Sequence, residues 1–258
     1  MTSVRLSSLL RGALFVASVS FPSPPPPLVR LEATRLSMGS AYSIIAHGDA
    51  ATLPGTLETA FDEVDRIDRL MSHYKPESPL SRLNREAAAG PVRVDPELFS
   101  FLAEALRYGS ESGGAFDITV GPLMKAWGFF RGGGRLPSAP ELEAARAGVG
   151  YTHVILNPRD RTVSFDRAGV ALDLGGIAKG YAVDQMVVLL RRAGVQAALV
   201  SAGGSTVYAL GAPPGEEGWP VEIADPVDPG VVAFRTRLRD RALSVSGSAE
   251  KSLIIPSD

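Results

Sequence analysis

The sequence predicts an α+β fold, a mostly antiparallel sheet with helices packed on it in a single domain. Three features lead there: long amphipathic stretches between short strand segments, hairpin-like strand pairs in the second half, and a single clear strand–helix unit, at 170–190. A doubly wound sheet would need that unit repeated. The chain has 258 residues, 45% of them hydrophobic, enough for one large or two small domains with a substantial core, and no repeat or domain boundary is visible. The net charge of −2 is dispersed, giving no electrostatic case for nucleic acid or an anionic membrane. The absence of cysteine excludes disulfides, thiolate chemistry and a lipid-modified N-terminal cysteine.

Residues 1–27 have a targeting pattern: Arg5 and Arg11, then an apolar Gly12–Val19, then a small-x-small Ser18-Val19-Ser20. Export is the expectation, and a disordered cytoplasmic leader the alternative. The apolar run falls well short of the roughly 20 residues that span a bilayer. Pro22–Pro27 reads as a stiff spacer. The folded domain is expected from near Leu31, with a strand over Met38–Ala46 and a turn at His47-Gly48-Asp49.

Leu57, Phe61, Val64, Ile67 and Met71 mark one face of a helix, with Asp62–Arg66 and Asp65–Arg69 expected to pair on the other. Ser72-His73-Tyr74-Lys75-Pro76 breaks it and leaves an aromatic at a turn. The next helix has Asp95 as N-cap, Pro96 at its first position, a stripe of Leu98, Leu102, Ala105 and Gly109, and Ser112-Gly113-Gly114 as its end. Asp117 in the following turn either accepts hydrogen bonds from a ligand or caps a short helix, Pro122–Trp127.

Residues 131–140 form a loop without phosphate-binding spacing, followed by a short helix over Glu141–Ala147. Val154–Leu156 and Thr162–Phe165 read as a hairpin leading to a strand at Val170–Leu172. Ala197–Ser201, Val207–Leu210, Pro220–Ala224, Val231–Arg237 and Ala242–Ser246 continue an antiparallel sheet, with a tight turn at Gly203-Gly204. His47 and His153 stand without partners at ligand spacing, as do Glu222 and Asp225. The S-x-x-K matches at Ser72–Lys75 and Ser248–Lys251 lack the S-D-N and K-T-G elements that would give them meaning.

The stretch Leu172–Asp184 carries the strongest chemical signal. Gly175-Gly176 leads into a helix whose first N–H groups have no internal partners, a place that can hold an anion. Asp173 and Lys179 are expected to put an acceptor and a cation beside one pocket, as a nucleotide would need. Glycines for tight packing and a solvated lysine are the competing reading.

The wording of Asp173–Asp184, D-L-G-G-I-A-K-G-Y-A-V-D, resembles the signature of the ApbE family, the FAD:protein FMN transferases. The resemblance extends to Met38–Tyr42, Arg66–Tyr74, Ser81–Asn84, Gly113–Leu123 and Ser201–Ser205, in the right order. It implies FAD as substrate, transfer of FMN through its phosphate to a threonine or serine hydroxyl of a target protein, release of AMP, and Mg²⁺ as the charge-neutralising agent. It also implies that Met38 and Tyr74 line the flavin nucleotide, that Ala115, Phe116, Asp117, Asp173 and Lys179 contact FAD, and that the Gly176 carbonyl is a metal ligand; it names no catalytic residue. The implied partner is a flavin-accepting membrane or exported redox protein, and the expected location is exported, periplasmic or membrane-associated. Relatives continue past a segment like Ser246-Gly247 into an H-I-I-D-P block and a further block that supplies an aspartate and a threonine to the metal. Here Ser252–Pro256 echoes the first without its histidine and aspartate, so the metal site is expected to be incomplete. A non-catalytic FAD-binding protein and an FAD diphosphatase are the alternative activities.

Overall fold

The computed structural model describes residues 28–130, 133–228 and 230–246. The signal-like segment, the proline spacer, Ser248–Lys251 and the echo at Ser252–Pro256 lie outside them.

A hairpin opens the fold, β1 (Leu28–Ser37) and β2 (Ser40–Asp49), starting ahead of Leu31 and running through the expected turn at 47–49. Its two-residue loop puts Met38 at φ 50° and Gly39 at φ 68°, the left-handed pair that matches strand twist in tight hairpins. Helix α1 (Leu53–Met71) buries Leu57, Phe61, Val64, Ile67 and Met71 as the periodicity requires. Its charged face pairs differently from the i,i+4 expectation. Asp62 and Asp65 both bind Arg35 of β1, while Arg66 binds Glu63 at i,i+3 in the same helix and reaches Glu97 outside it, so partners from neighbouring elements take over most of the i,i+4 positions.

Helix α2 (Pro79–Glu86), capped by Ser78, was not apparent from the sequence pattern; β3 (Val92–Arg93) and α3 (Pro96–Glu111) follow, the latter with the expected Asp95 cap. Next come α4 (Gly121–Ala126), α5 (Ala139–Arg146) with a Ser138–Glu141 capping box, and the β4 (Val154–Asn157) and β5 (Thr162–Phe165) hairpin. Then follow α6 (Ala178–Arg192), β6 (Ala197–Ala202), β7 (Thr206–Leu210), β8 (Trp219–Ala224), β9 (Val232–Leu238) and β10 (Arg241–Ser244).

The main sheet has the order β1-β2-β6-β7-β10 and is antiparallel throughout. Its inner face (Tyr42, Ile44, Ala46, Ala198, Val200) shares one core with the apolar faces of α1 and α6. Each fully buried Ile or Val among them contributes about 1.5–3 kcal/mol. The outer face is partly covered by the β8–β9 hairpin, where Trp219 and Leu238 pack on Ala197 and Ala209.

Val170–Leu172 is not a strand. The segment has no sheet neighbour: Leu172 is held by Asn84 and Ala171 by the Gly121 N–H, and Asp173, the next residue, by the Ile118 carbonyl.

Candidate active site

The break after α1 is built by serines. Ser78 Oγ and Ser81 Oγ both donate to the Ser72 carbonyl, at 2.5 and 3.3 Å, and Ser78 Oγ accepts the Ser81 N–H that starts α2. This folds 72–78 into a tight loop presenting His73 and Tyr74. Lys75 is tied to Asp68 at 2.6 Å, and the Ser72 hydroxyl accepts the Tyr74 N–H, so the S-x-x-K pair is engaged in structure.

Facing that loop is the segment before the glycine turn. Asn84 clamps it: Oδ1 accepts the Leu172 N–H at 2.7 Å and Nδ2 donates to the Leu172 carbonyl at 2.9 Å. The Asp173 N–H reaches the Ile118 carbonyl at 2.8 Å, and the Gly121 N–H the Ala171 carbonyl at 3.2 Å. Asp173, 8% exposed, then turns its Oδ1 onto the Gly175 N–H at 2.8 Å. Neither glycine of the turn has a positive φ. Gly175 serves close packing, since a Cβ there would lie 3.0 Å from Asp173 Oδ1; at Gly176 the edge of Phe116 sits 3.6 Å from the Cβ position, an ordinary van der Waals contact. The first hydrogen bond closing α6 runs from Tyr181 N–H to the Ile177 carbonyl, so the Gly176 carbonyl accepts no helical N–H.

Between loop and segment lies a pocket of about 230 Å³, lined among others by His73, Tyr74, Asn84, Lys125, Phe130 and Asp173. That is below the roughly 300 Å³ at which pockets begin to hold a whole drug-sized ligand, so it takes one ring or head group of a larger molecule. Its wall is aromatic: Tyr74 and His73 centroids are 4.0 Å apart, and Phe130 lies 5.1 Å from Tyr74 and 5.3 Å from His73. Burial lowers the His73 pKa, Lys125 lowers it further, and Asp173 opposes both, so the ring is neutral at pH 7. Burial and Asp173 raise that of Tyr74, keeping its hydroxyl protonated.

Of the residues the sequence singled out, the pocket brings together Tyr74 and Asp173. Phe116 and Gly176 meet at the adjoining glycine turn. Lys179 is not beside Asp173 in the pocket; its Nζ reaches Ser205 Oγ at 3.4 Å, because the start of α6 points that side chain toward the β6–β7 turn. Met38 lies in the β1–β2 turn, its Sδ accepting the hydroxyl of buried Tyr42 at 3.2 Å. Ala115 is exposed above the end of α3.

Asp117 does not cap α4. Its Oδ1 accepts the N–H and hydroxyl of Thr119, at 2.8 and 2.6 Å, and its Oδ2 the Tyr151 N–H at 2.7 Å, tying the Phe116 turn to the 148–151 loop. His153 does have a partner, Asp166, at 3.1 Å. His73, Asn84, Lys125 and Phe130 were missed as site residues. The first two stand inside matched blocks, next to Tyr74 and after Ser81, whereas nothing local marks Lys125 or Phe130.

This chain matches the model of the ApbE family over residues 38–256. It belongs to the ApbE family. An FAD:protein FMN transferase of Salmonella typhimurium is 32% identical over 222 residues, covering 82% of this chain and 62% of that protein. One of Escherichia coli K12 is 30% identical over 254 residues, covering 93% and 71%. Among solved structures, an ApbE protein of Thermotoga maritima superposes with a TM-score of 0.81 at 28% identity, covering 88% of this chain and 73% of that one. The flavin transferase ApbE of Vibrio cholerae gives 0.79 at 26% identity, covering 90% and 75%. The chain thus spans about three-fifths of the Salmonella ApbE relative's length, and the mixed helical and antiparallel fold is that of ApbE flavin transferases.

Proposed function

We propose that this chain is an FAD:protein FMN transferase. The observation that carries the reading is the Asp173–Gly176 turn, packed on Phe116 and facing the Tyr74 wall: a planar ring, a hydrogen-bond acceptor and close backbone approach meet there. The relatives named for this activity support it.

In the reaction, a threonine or serine hydroxyl of the target attacks the FMN-side phosphorus of FAD. A new O–P bond forms, the P–O bond to AMP breaks, AMP departs and the hydroxyl proton is lost. Tyr74 stacks a ring of the dinucleotide, and Asp173 accepts a ligand O–H or N–H on the lone pairs its Gly175 bond leaves over. Lys179, with one of three donors turned to Ser205, neutralises phosphate charge near the start of α6. Met38, Ala115 and Phe116 complete the cleft in this reading, while Asp117 shapes it from behind.

Magnesium belongs to the same reading, but the described residues do not make its site alone. The Gly176 carbonyl offers one oxygen, and no group of three metal-ligating side chains is found among the described residues. Export by the first 27 residues, and a target that is a membrane or exported redox protein, are part of the proposal; secretion of a full-length fusion reporter tests the first.

The test is incubation with FAD, Mg²⁺ and a flavin-accepting protein. Fluorescent target that survives denaturing electrophoresis, with equimolar AMP, is expected. FMN and AMP without labelled target identify a diphosphatase, and FAD retention without either product a binding protein.

A further inference from the structure

His73 lines the pocket with a side chain only 10% exposed that the proposed reaction leaves unused. Its Nε2 is enclosed, yet no described residue hydrogen-bonds it. Asp173 Oδ2 stands 3.6 Å away, just beyond hydrogen-bonding range. The other oxygen, Oδ1, already holds the Gly175 N–H and so fixes the glycine turn. The imidazole is hemmed in by Tyr74 and Phe130, so its freedom is to shift together with that stack. Asp173 from the segment before α6 and Lys125 from α4 are the charged groups that act on it. A buried ring nitrogen without a partner is unfavourable, so a ligand that moves the stack toward Asp173 is rewarded by the hydrogen bond that then forms.

We propose that His73 is a positioning residue for Asp173: a planar ring stacking on Tyr74 drives His73 Nε2–H onto Asp173 Oδ2 and locks the carboxylate in its ligand-receiving orientation. The aromatic wall and the acid then form one two-state element that the ligand biases. The identity of that ligand rests on the flavin reading above; the pairing of His73 with Asp173 does not.

Two measurements test it. In ligand-free protein, the His73 imidazole titration is followed by nitrogen NMR; Asp173→Asn removes the anion that favours imidazolium and should move the titration to lower pH. An unmoved titration overturns the pairing, whether or not flavin binds. With FAD, His73→Phe, which keeps a ring but no nitrogen, and Asp173→Asn should each weaken binding about tenfold, the size of one charge-assisted hydrogen bond. The double variant should be no weaker than the worse single one. His73→Gln, which returns an N–H at similar reach, should recover most of the loss. Additive losses, or a Gln variant as weak as the Phe variant with both folded by circular dichroism, overturn the proposal. If the wild type takes up no FAD, the flavin reading and the ligand-driven closing fall together, while the titration still decides the pairing.

Discussion

At Leu172 the backbone is held by one side chain where a neighbouring strand would ordinarily do it. Asn84 supplies both donor and acceptor to a residue that is 1% exposed, from 88 positions away in the sequence. Replacing it with alanine strands a buried N–H and C=O, each costing about 1–3 kcal/mol. Asn84→Ala should therefore lower the urea-unfolding free energy by that order and weaken FAD binding, since the Asp173 segment loses its anchor. Asp117 gives a parallel case, because Thr119 and Tyr151 hang on its two oxygens. Asp117→Ala should lower stability by about 1–3 kcal/mol with no ligand present; stability equal to wild type, with affinity alone reduced, would make it a ligand contact and not a brace. The conformations that matter here, an Asp turning onto its own glycine turn and Met38 at positive φ, involve neighbouring residues, which is why the motif could be found while its internal wiring could not.

Among elements, α1 and α3 were legible because their buried residues repeat every three or four positions over many turns. The two-turn helix α2 has only Leu80 and Leu83 as an apolar signal, too short a run to show a period, although Ser78-Pro79 was a valid start signal. Val170–Leu172 failed in the opposite way: an apolar run reads as a strand whatever satisfies its backbone. Helix α4 is docked on that same segment through Gly121, where an added Cβ would come within 2.5 Å of the Ala171 carbonyl oxygen. Gly121→Ala should push α4 away, costing about 1–3 kcal/mol as overpacking does and displacing Lys125 from the pocket. Thermal unfolding measures the first effect, and FAD affinity the second. Unchanged stability would mean that α4 is free to slide.

Across the whole molecule, three helices meet at one acid. Glu97 of α3 accepts hydrogen bonds from Arg66 of α1 and Tyr181 of α6, and chiefly the Arg66 bond holds its carboxyl below the ordinary carboxylate value. A depressed acid contributes stability that is complete above its unfolded pKa and disappears as pH falls through the folded one. His73 acts in the same direction, since its lowered pKa makes protonation favour the unfolded chain as pH drops below about 6.5. Stability should therefore fall on acidification, first below neutrality and again in the carboxylate range, with Glu97→Gln flattening the second decline in denaturant titrations. An unaltered acid limb in that variant would remove Glu97 from the account.

The antiparallel pairing of β6, β7 and β10 and the two covering helices were predictable from hydrophobic period, but Pro220–Ala224 and Val231–Arg237 do not continue that sheet and form a separate hairpin, because period alone does not say which strands pair. The pocket was only partly predictable, because its wall is assembled from residues 73, 74, 125 and 130 by the packing of α2 and α4. The most direct measurement is a fluorescence titration of the purified chain with FAD, for wild type and Asp173→Asn. Saturable quenching by the wild type, weakened about tenfold by the substitution, is the predicted result. A wild type that leaves FAD fluorescence unchanged at all concentrations would contradict the assignment of this pocket to a flavin dinucleotide.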